Sequence, residues 1–196
     1  MHIGLNAHLL SSQAGYRSAG IHGYIDNILQ TVPAHAPSDW RFTAMVGGAN
    51  HASFDKVTMR RAGLDTESAL RRILWEQAIQ PFTLGRYDLY HAMAFVAPLI
   101  LHVPMVVTVY DLTFMRYPER LTTARRQYLQ MFTALTCRRA KRILAISQST
   151  ADDLTNLLGI PAHKIDVTPL GYDAQRFRPY ASDEIEAFRI RQALPG

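Results

Sequence analysis

The chain of 196 residues holds one cysteine, Cys137, which excludes an intrachain disulfide framework and fits a reducing, cytoplasmic setting. No apolar run approaches the roughly 18 residues needed to cross a bilayer. The N-terminus lacks the basic n-region and small-residue cleavage site of a signal peptide. Several catalytic signatures are also missing. The opening glycines Gly15, Gly20 and Gly23 match neither G-x-G-x-x-G nor the P-loop, whose Lys-Ser/Thr end is absent. No acidic residue follows the next strand at the ribose-binding position of a dinucleotide enzyme. There is no H-E-x-x-H, no Cys-His zinc spacing and no G-x-S-x-G elbow, so no metal and no cofactor is expected.

What is present is an ordinary soluble balance, with 48% apolar and 19% charged residues. The net charge is +5, from 21 Lys+Arg against 16 Asp+Glu. Arginine dominates the cations and favours bidentate contact with phosphate or carboxylate, which points to anionic ligands. A plain arginine preference in the source genome explains the same count. The basic residues fall in pairs such as Arg60-Arg61, Arg71-Arg72 and Arg138-Arg139. Without aromatic interleaving or a recognition motif they do not describe a nucleic-acid binder.

Periodicity supplies the fold. "HIGLNA", "WRFTAMVG", "YDLYHAM", "VPMVVTVYDL", "RILAIS" and "KIDVTPL" read as strands. Between them, "GIHGYIDNILQTV" reads as a helix with Ile21, Ile25, Ile28, Leu29 and Val32 on one stripe. "DTESALRRILWEQAIQPFTL" reads as a second, with Asp65 or Thr66 as cap and Leu70, Ile73, Leu74 and Ala78 at helical spacing. "TTARRQYLQMFTALTCRRAKR" is a third. A fourth is capped by Ser147 or Ser149 and stops at Gly159, and "SDEIEAFRIRQAL" is the last, with Ser182 as cap. Residues 50–63 give no clear signal. Strands alternating with helices predict an α/β, doubly wound parallel sheet of Rossmann-like type in a single domain over 1–180. Residues 181–196 then form a helix and the start of an interdomain linker.

Such sheets bind ligands outside the carboxyl ends of their strands. The polar residues predicted there are Asn6, His8, His91, Tyr110, Asp111, Ser147, Gln148 and Gly171. Gly15, Arg17 and Gly20 join them from the loop that precedes the first helix, where an open backbone cradles anions. Asp111 is the carboxylate best placed to act as general base or to hold a substrate hydroxyl, with its acidity weakened by the apolar strand before it. The alternative is that Asp111 ties its loop to nearby amides. Tyr110 either donates a hydrogen bond from the same place or packs.

Several stretches resemble the N-terminal half of retaining, nucleotide-sugar-dependent glycosyltransferases of the GT-B fold, family 4. They are "MHIGLNAHLL…SAGIHGYIDNIL", "RILWEQ", "VPMVVTVYDLTFMRYPE" and "RILAISQSTADDLTNLLGIPAHKIDVTPLGYDAQRFRP", in that order. The resemblance implies an acceptor-binding domain whose glycine loop faces a cleft shared with a donor-binding domain. It also implies a nucleotide-sugar donor and a glycan, lipid-linked or other hydroxyl acceptor.

Two departures stand out. Many relatives carry His where this chain has Tyr110, although Asp111 matches. The family's Glu-x7-Glu signature is absent, because no two of Glu67, Glu76, Glu119, Glu184 and Glu186 are eight apart. The donor site is therefore expected outside this sequence, leaving the chain inactive by itself. Competing readings are half of a nucleotide-sugar epimerase, or a non-catalytic subunit completed by a separate donor-domain chain. Basic pairs beside amphipathic helices add peripheral contact with the inner membrane face, and an uncovered docking face allows dimers.

Overall fold

Seven strands form one parallel sheet in the computed structural model, which describes residues 1–10, 20–47, 52–63, 69–172, 174 and 177–195. They are β1 (His2–Asn6), β2 (Arg41–Val46), β3 (Val57–Arg61), β4 (Leu89–Ala92), β5 (Met105–Val109), β6 (Arg142–Ala145) and β7 (Ile165–Val167). Their order is β3-β2-β1-β4-β5-β6-β7. The chain leaves β1 for β2 and β3, then returns to β4 on the opposite flank. The topological switch point thus lies between β1 and β4, as a doubly wound Rossmann-like sheet requires.

The helices are α1 (Ile21–His35), α2 (Ala69–Leu74), α3 (Pro81–Leu84), α4 (Thr113–Arg116), α5 (Thr123–Arg139), α6 (Gln148–Leu158) and α7 (Ser182–Arg191). On one face, Ile25 and Leu29 of α1 pack on Ile3, Leu5, Phe42, Ala44 and Val46. Each such buried aliphatic side chain stabilises the fold by about 1.5–3 kcal/mol. A second core joins Tyr90, Val107, Val109, Ile143 and Ala145 to Leu154 and Leu158 of α6. No described helix is long and apolar enough to cross a membrane.

Four local expectations are corrected. The unassigned stretch contains β3, an edge strand whose sequence VTMRR is half exposed and so carries no apolar run. The helix around "RILWEQ" faces the other way. Leu70, Leu74 and Ala78 are exposed, whereas Trp75, Glu76, Gln80 and Leu84 are buried. Leu70 and Leu74 face outward ahead of a π-helical turn over Trp75–Ile79, between α2 and α3, and that turn rotates the residues after it relative to a 3.6-residue period. Val32, expected on the inner stripe of α1, is exposed while Pro33 is buried. The cap of α7 is Ala181 rather than Ser182, with Glu184 Oε2 accepting the Ala181 N–H at 2.9 Å. The caps proposed at Asp65 and Thr66 lie outside the described residues.

Candidate functional site

The carboxyl ends of β1, β4, β5 and β6 make a rim with two chemically different sides. On the β1 side the groups are buried and pair across the fold. Asn6 ends the strand; its Oδ1 accepts the His8 N–H at 3.3 Å, and its Nδ2 donates to Glu76 Oε1 at 3.3 Å. Glu76 comes from the π-helical turn, 70 residues away, and is 7% exposed. Burial pushes its carboxyl up to about 7, with Arg72 and Asn6 working against the shift. His8 stacks edge-on against Trp75 at 4.6 Å. Burial, helped by the charge of Arg72, drives its imidazole down to about 3, so the ring is neutral at physiological pH.

At the switch point itself a hydroxyl links two elements to an imidazole. Thr108 is fully buried on β5, with its Oγ1 3.0 Å from the Tyr24 hydroxyl and 2.8 Å from His91 Nε2. Either direction of donation completes a Tyr24–Thr108–His91 chain. Desolvation holds His91 neutral, down to about 4. Gly20 leads into α1 at φ 62, a conformation that favours glycine and lets the chain enter the helix sharply. Gly23, inside α1, has no steric neighbour that would demand glycine. Gly15 and Arg17 lie outside the described residues.

On the β5 and β6 side most pairings are short in sequence. Asp111 is exposed, so the desolvation expected from the preceding strand is not met. Its Oδ1 accepts the Thr113 N–H at 2.8 Å, an Asx turn into α4, and Oδ2 takes no part in that bond. Tyr110 is buried. Its hydroxyl donates to the Met93 carbonyl at 2.7 Å, and its ring meets Tyr24 at 5.4 Å and Phe95 at 5.5 Å. Burial raises the phenol far above its ordinary range, and the proton is committed to that carbonyl. Phe95 itself holds φ 50, a strained conformation for an aromatic residue beside the site.

Ser147 caps α6, its Oγ accepting the Thr150 N–H at 3.2 Å. Thr150 Oγ1 in turn donates to the Tyr110 carbonyl at 2.7 Å. Gln148 is exposed and reaches Asp152 at 2.9 Å. Gly171 is exposed, and a Cβ there would meet nothing. A bidentate ion pair between Arg116 of α4 and the buried Asp153 of α6 braces the loop after β5.

The structure therefore gathers Asn6, His8, His91, Tyr110, Asp111, Ser147 and Gln148 at one end of the sheet. Among them Asp111 and Gln148 are the exposed polar groups. Sequence reasoning missed Glu76, Thr108 and Tyr24. Only Glu76 left a trace, as a carboxylate beside Trp75 in an otherwise apolar helical pattern. Among the described residues no group of three or more His, Cys, Asp or Glu is arranged to hold a metal ion.

A seven-stranded parallel sheet with flanking helices and a polar rim at its switch point defines an α/β protein of the Rossmann-like class. The profile of Glycosyltransferase Family 4 matches residues 39–176, well over half of the sequence, and the chain belongs to that family. The crystal structure of Anabaena Alr3699/HepE in complex with UDP and glucose shares the fold, with a TM-score of 0.56 at 18% identity. That match covers 97% of this chain and 50% of the other, so this chain spans about half the length of that relative. No curated protein matches.

Proposed function

We propose that this chain is the acceptor-side half of a GT-B, nucleotide-sugar-dependent glycosyltransferase, passing a sugar to a hydroxyl of a glycan, lipid-linked or other polyol acceptor in the cytoplasm. The family 4 match over 39–176 carries this reading, because those residues span β4 to β7 and the exposed part of the rim. Asp111 takes the acceptor hydroxyl. One carboxylate oxygen is fixed by Thr113, and the other is left to orient the hydroxyl or receive its proton. His91 and the Tyr24–Thr108 chain lie at the same end of the sheet. Tyr110 positions the loop through Met93. Ser147, Gln148 and Gly171, with the glycine loop of Gly15, Arg17 and Gly20, border the acceptor and the donor phosphates, where the N-terminus of α6 favours negative charge.

The HepE structure, which contains UDP and glucose, supports a nucleotide-sugar as donor. The donor-binding half lies outside these residues in this reading. The chain alone then holds an acceptor without turnover, since orientation of two reactants contributes roughly 7–11 kcal/mol of barrier lowering. Exposed Leu70 and Leu74 beside Arg71 give the same domain a face for peripheral membrane contact.

The test is turnover of a nucleotide-sugar panel by the whole protein and by D111N. The expected loss in kcat is about a hundredfold or more, with the melting transition little changed. Undiminished turnover in D111N would remove the carboxylate from the mechanism. Robust turnover by the 196-residue chain alone would remove the half-site reading.

A further inference from the structure

A groove of about 880 Å³ opens at the amino ends of β1, β2 and β3, the opposite end of the sheet from the rim. Four cations line it, Arg41, Lys56, Arg60 and Arg86, and among the described residues no carboxylate does. Three described acids lie near these cations in sequence. Asp39 faces the N-terminal ammonium at 3.9 Å, Asp88 Oδ2 accepts the His2 N–H at 2.7 Å, and Asp55 lines a separate cleft with Asp26.

Strand register explains the convergence. Arg41 stands opposite His2, Thr43 opposite both Gly4 and Thr58, and Arg60 opposite Met45. With a period of two, Arg41, Thr43, Thr58 and Arg60 share one face. In a doubly wound sheet that face normally carries a packed apolar layer. Here Met45 is buried on that face but its neighbours are polar, and Arg41 and Thr58 are exposed. Gly4 admits the Tyr87 ring, because a Cβ there would come within 3.0 Å of it.

Two observations bear on the ligand that this face would take. The Nη1 of Arg60 is buried and has no hydrogen-bond partner. A buried donor left unpaired costs free energy that a ligand oxygen would recover once the guanidinium turned toward the groove. Burial, and after it the charge of Arg41, holds the His2 imidazole below its ordinary value, with Asp88 opposing and Arg86 adding to the shift.

We propose that this groove is a binding site for a phosphate-bearing ligand, with Arg60 as its central contact and Arg41 and Arg86 flanking it. Arginine suits the role because its planar fork gives paired hydrogen bonds to phosphate oxygens. The site is separate from the rim and does not depend on the function proposed for it. Its ligand is either a soluble phosphorylated compound or a lipid phosphate.

Calorimetric titration of the chain with inorganic pyrophosphate tests the site. Saturable binding is expected, weakened about tenfold in R60Q by loss of a charge-assisted hydrogen bond and less in R86Q. The His2 ring, followed by NMR, should titrate at higher pH once pyrophosphate is bound. Co-sedimentation with phosphatidylglycerol-containing vesicles, against phosphatidylcholine alone, separates the two sources. Arg60-dependent binding to the anionic vesicles without pyrophosphate binding assigns the site to a lipid headgroup. Pyrophosphate binding without it assigns a soluble ligand. Melting curves verify that R60Q is folded, and R41Q provides an independent variant. Absence of both kinds of binding, or binding that folded R60Q and R41Q leave unchanged, overturns the proposal.

Discussion

At the end of β1, polar side chains are buried and reach partners far away in sequence; at the ends of β5 and β6 the exposed ones bind their own neighbours. Asn6 meets Glu76 across 70 residues, whereas Asp111 meets Thr113 two residues on and Gln148 meets Asp152 four residues on. The two sides answer to different physics. Burial governs the first, shifting Glu76 upward and His8 downward. Local hydrogen bonding governs the second and leaves its carboxylate open to water. The buried side ties the end of β1 to the π-helical turn, and the exposed side is the one on which the proposed function rests.

The largest expected effect that would break this contrast lies with His8. Its folded value of about 3 sits below the ordinary 6.5, so the neutral ring is favoured in the native state. Stability from this group is complete above 6.5 and is lost as pH falls toward about 3. A shift of that size corresponds to about 5 kcal/mol at the acid limit. His91 acts in the same direction, toward about 4. H8Q should lower stability at neutral pH yet flatten the acid limb in denaturant titrations. An acid limb as steep in H8Q as in the wild type would mean that His8 is not the buried neutral group described.

Glu76 has the opposite sign. Its carboxyl titrates near 7 in the fold and at 4.5 in the unfolded chain, so the native state holds the proton longer. Below 4.5 both states are protonated, and the penalty grows as pH rises and is complete above about 7. Its full size is about 3 kcal/mol. The groups that feel this charge are Arg72 on α2, Asn6 on β1, Tyr90 on β4 and Tyr128 on α5. E76Q preserves an oxygen to accept from Asn6 and removes the charge. It should therefore gain on the wild type with rising pH, as read by urea midpoints from acid to alkaline buffer. Equal midpoints at alkaline pH would show that water reaches the carboxylate and that the two sides of the rim differ less than their burial implies.

These same two sides explain how much was legible beforehand. Local signals survive in sequence: the Ser147 cap, the Gly159 stop of α6 and the strand–helix alternation that sets sheet order all rest on neighbouring residues. The rim could be collected in advance because strand ends converge in any doubly wound sheet. The Asn6–Glu76 and Tyr24–Thr108–His91 links join distant segments through single polar atoms, and periodicity carries no trace of them. The π-helical turn misleads outright. Glu76 within it is inward, while the apolar Leu70 and Leu74 just before it are outward, the reverse of what a 3.6-residue stripe predicts. β3 was hidden for a plainer reason, since an edge strand with one open face does not need apolar alternation.

The smallest effect sharpens the comparison most on the exposed side, where neighbouring residues have separable duties. Ser147 Oγ accepts the Thr150 N–H and caps α6, so S147A should lower stability by about 1 kcal/mol. Gln148 is exposed and pairs only with the exposed Asp152 one turn along, so Q148A should change stability by less than about 0.5 kcal/mol. In whole-protein turnover the order should invert. Q148A would raise KM for the acceptor or donor, while S147A would act mainly through its melting temperature. A Q148A variant that melts as early as S147A would assign Gln148 to the helix rather than the ligand. The exposed side would then rest on Asp111 for its contact with the acceptor.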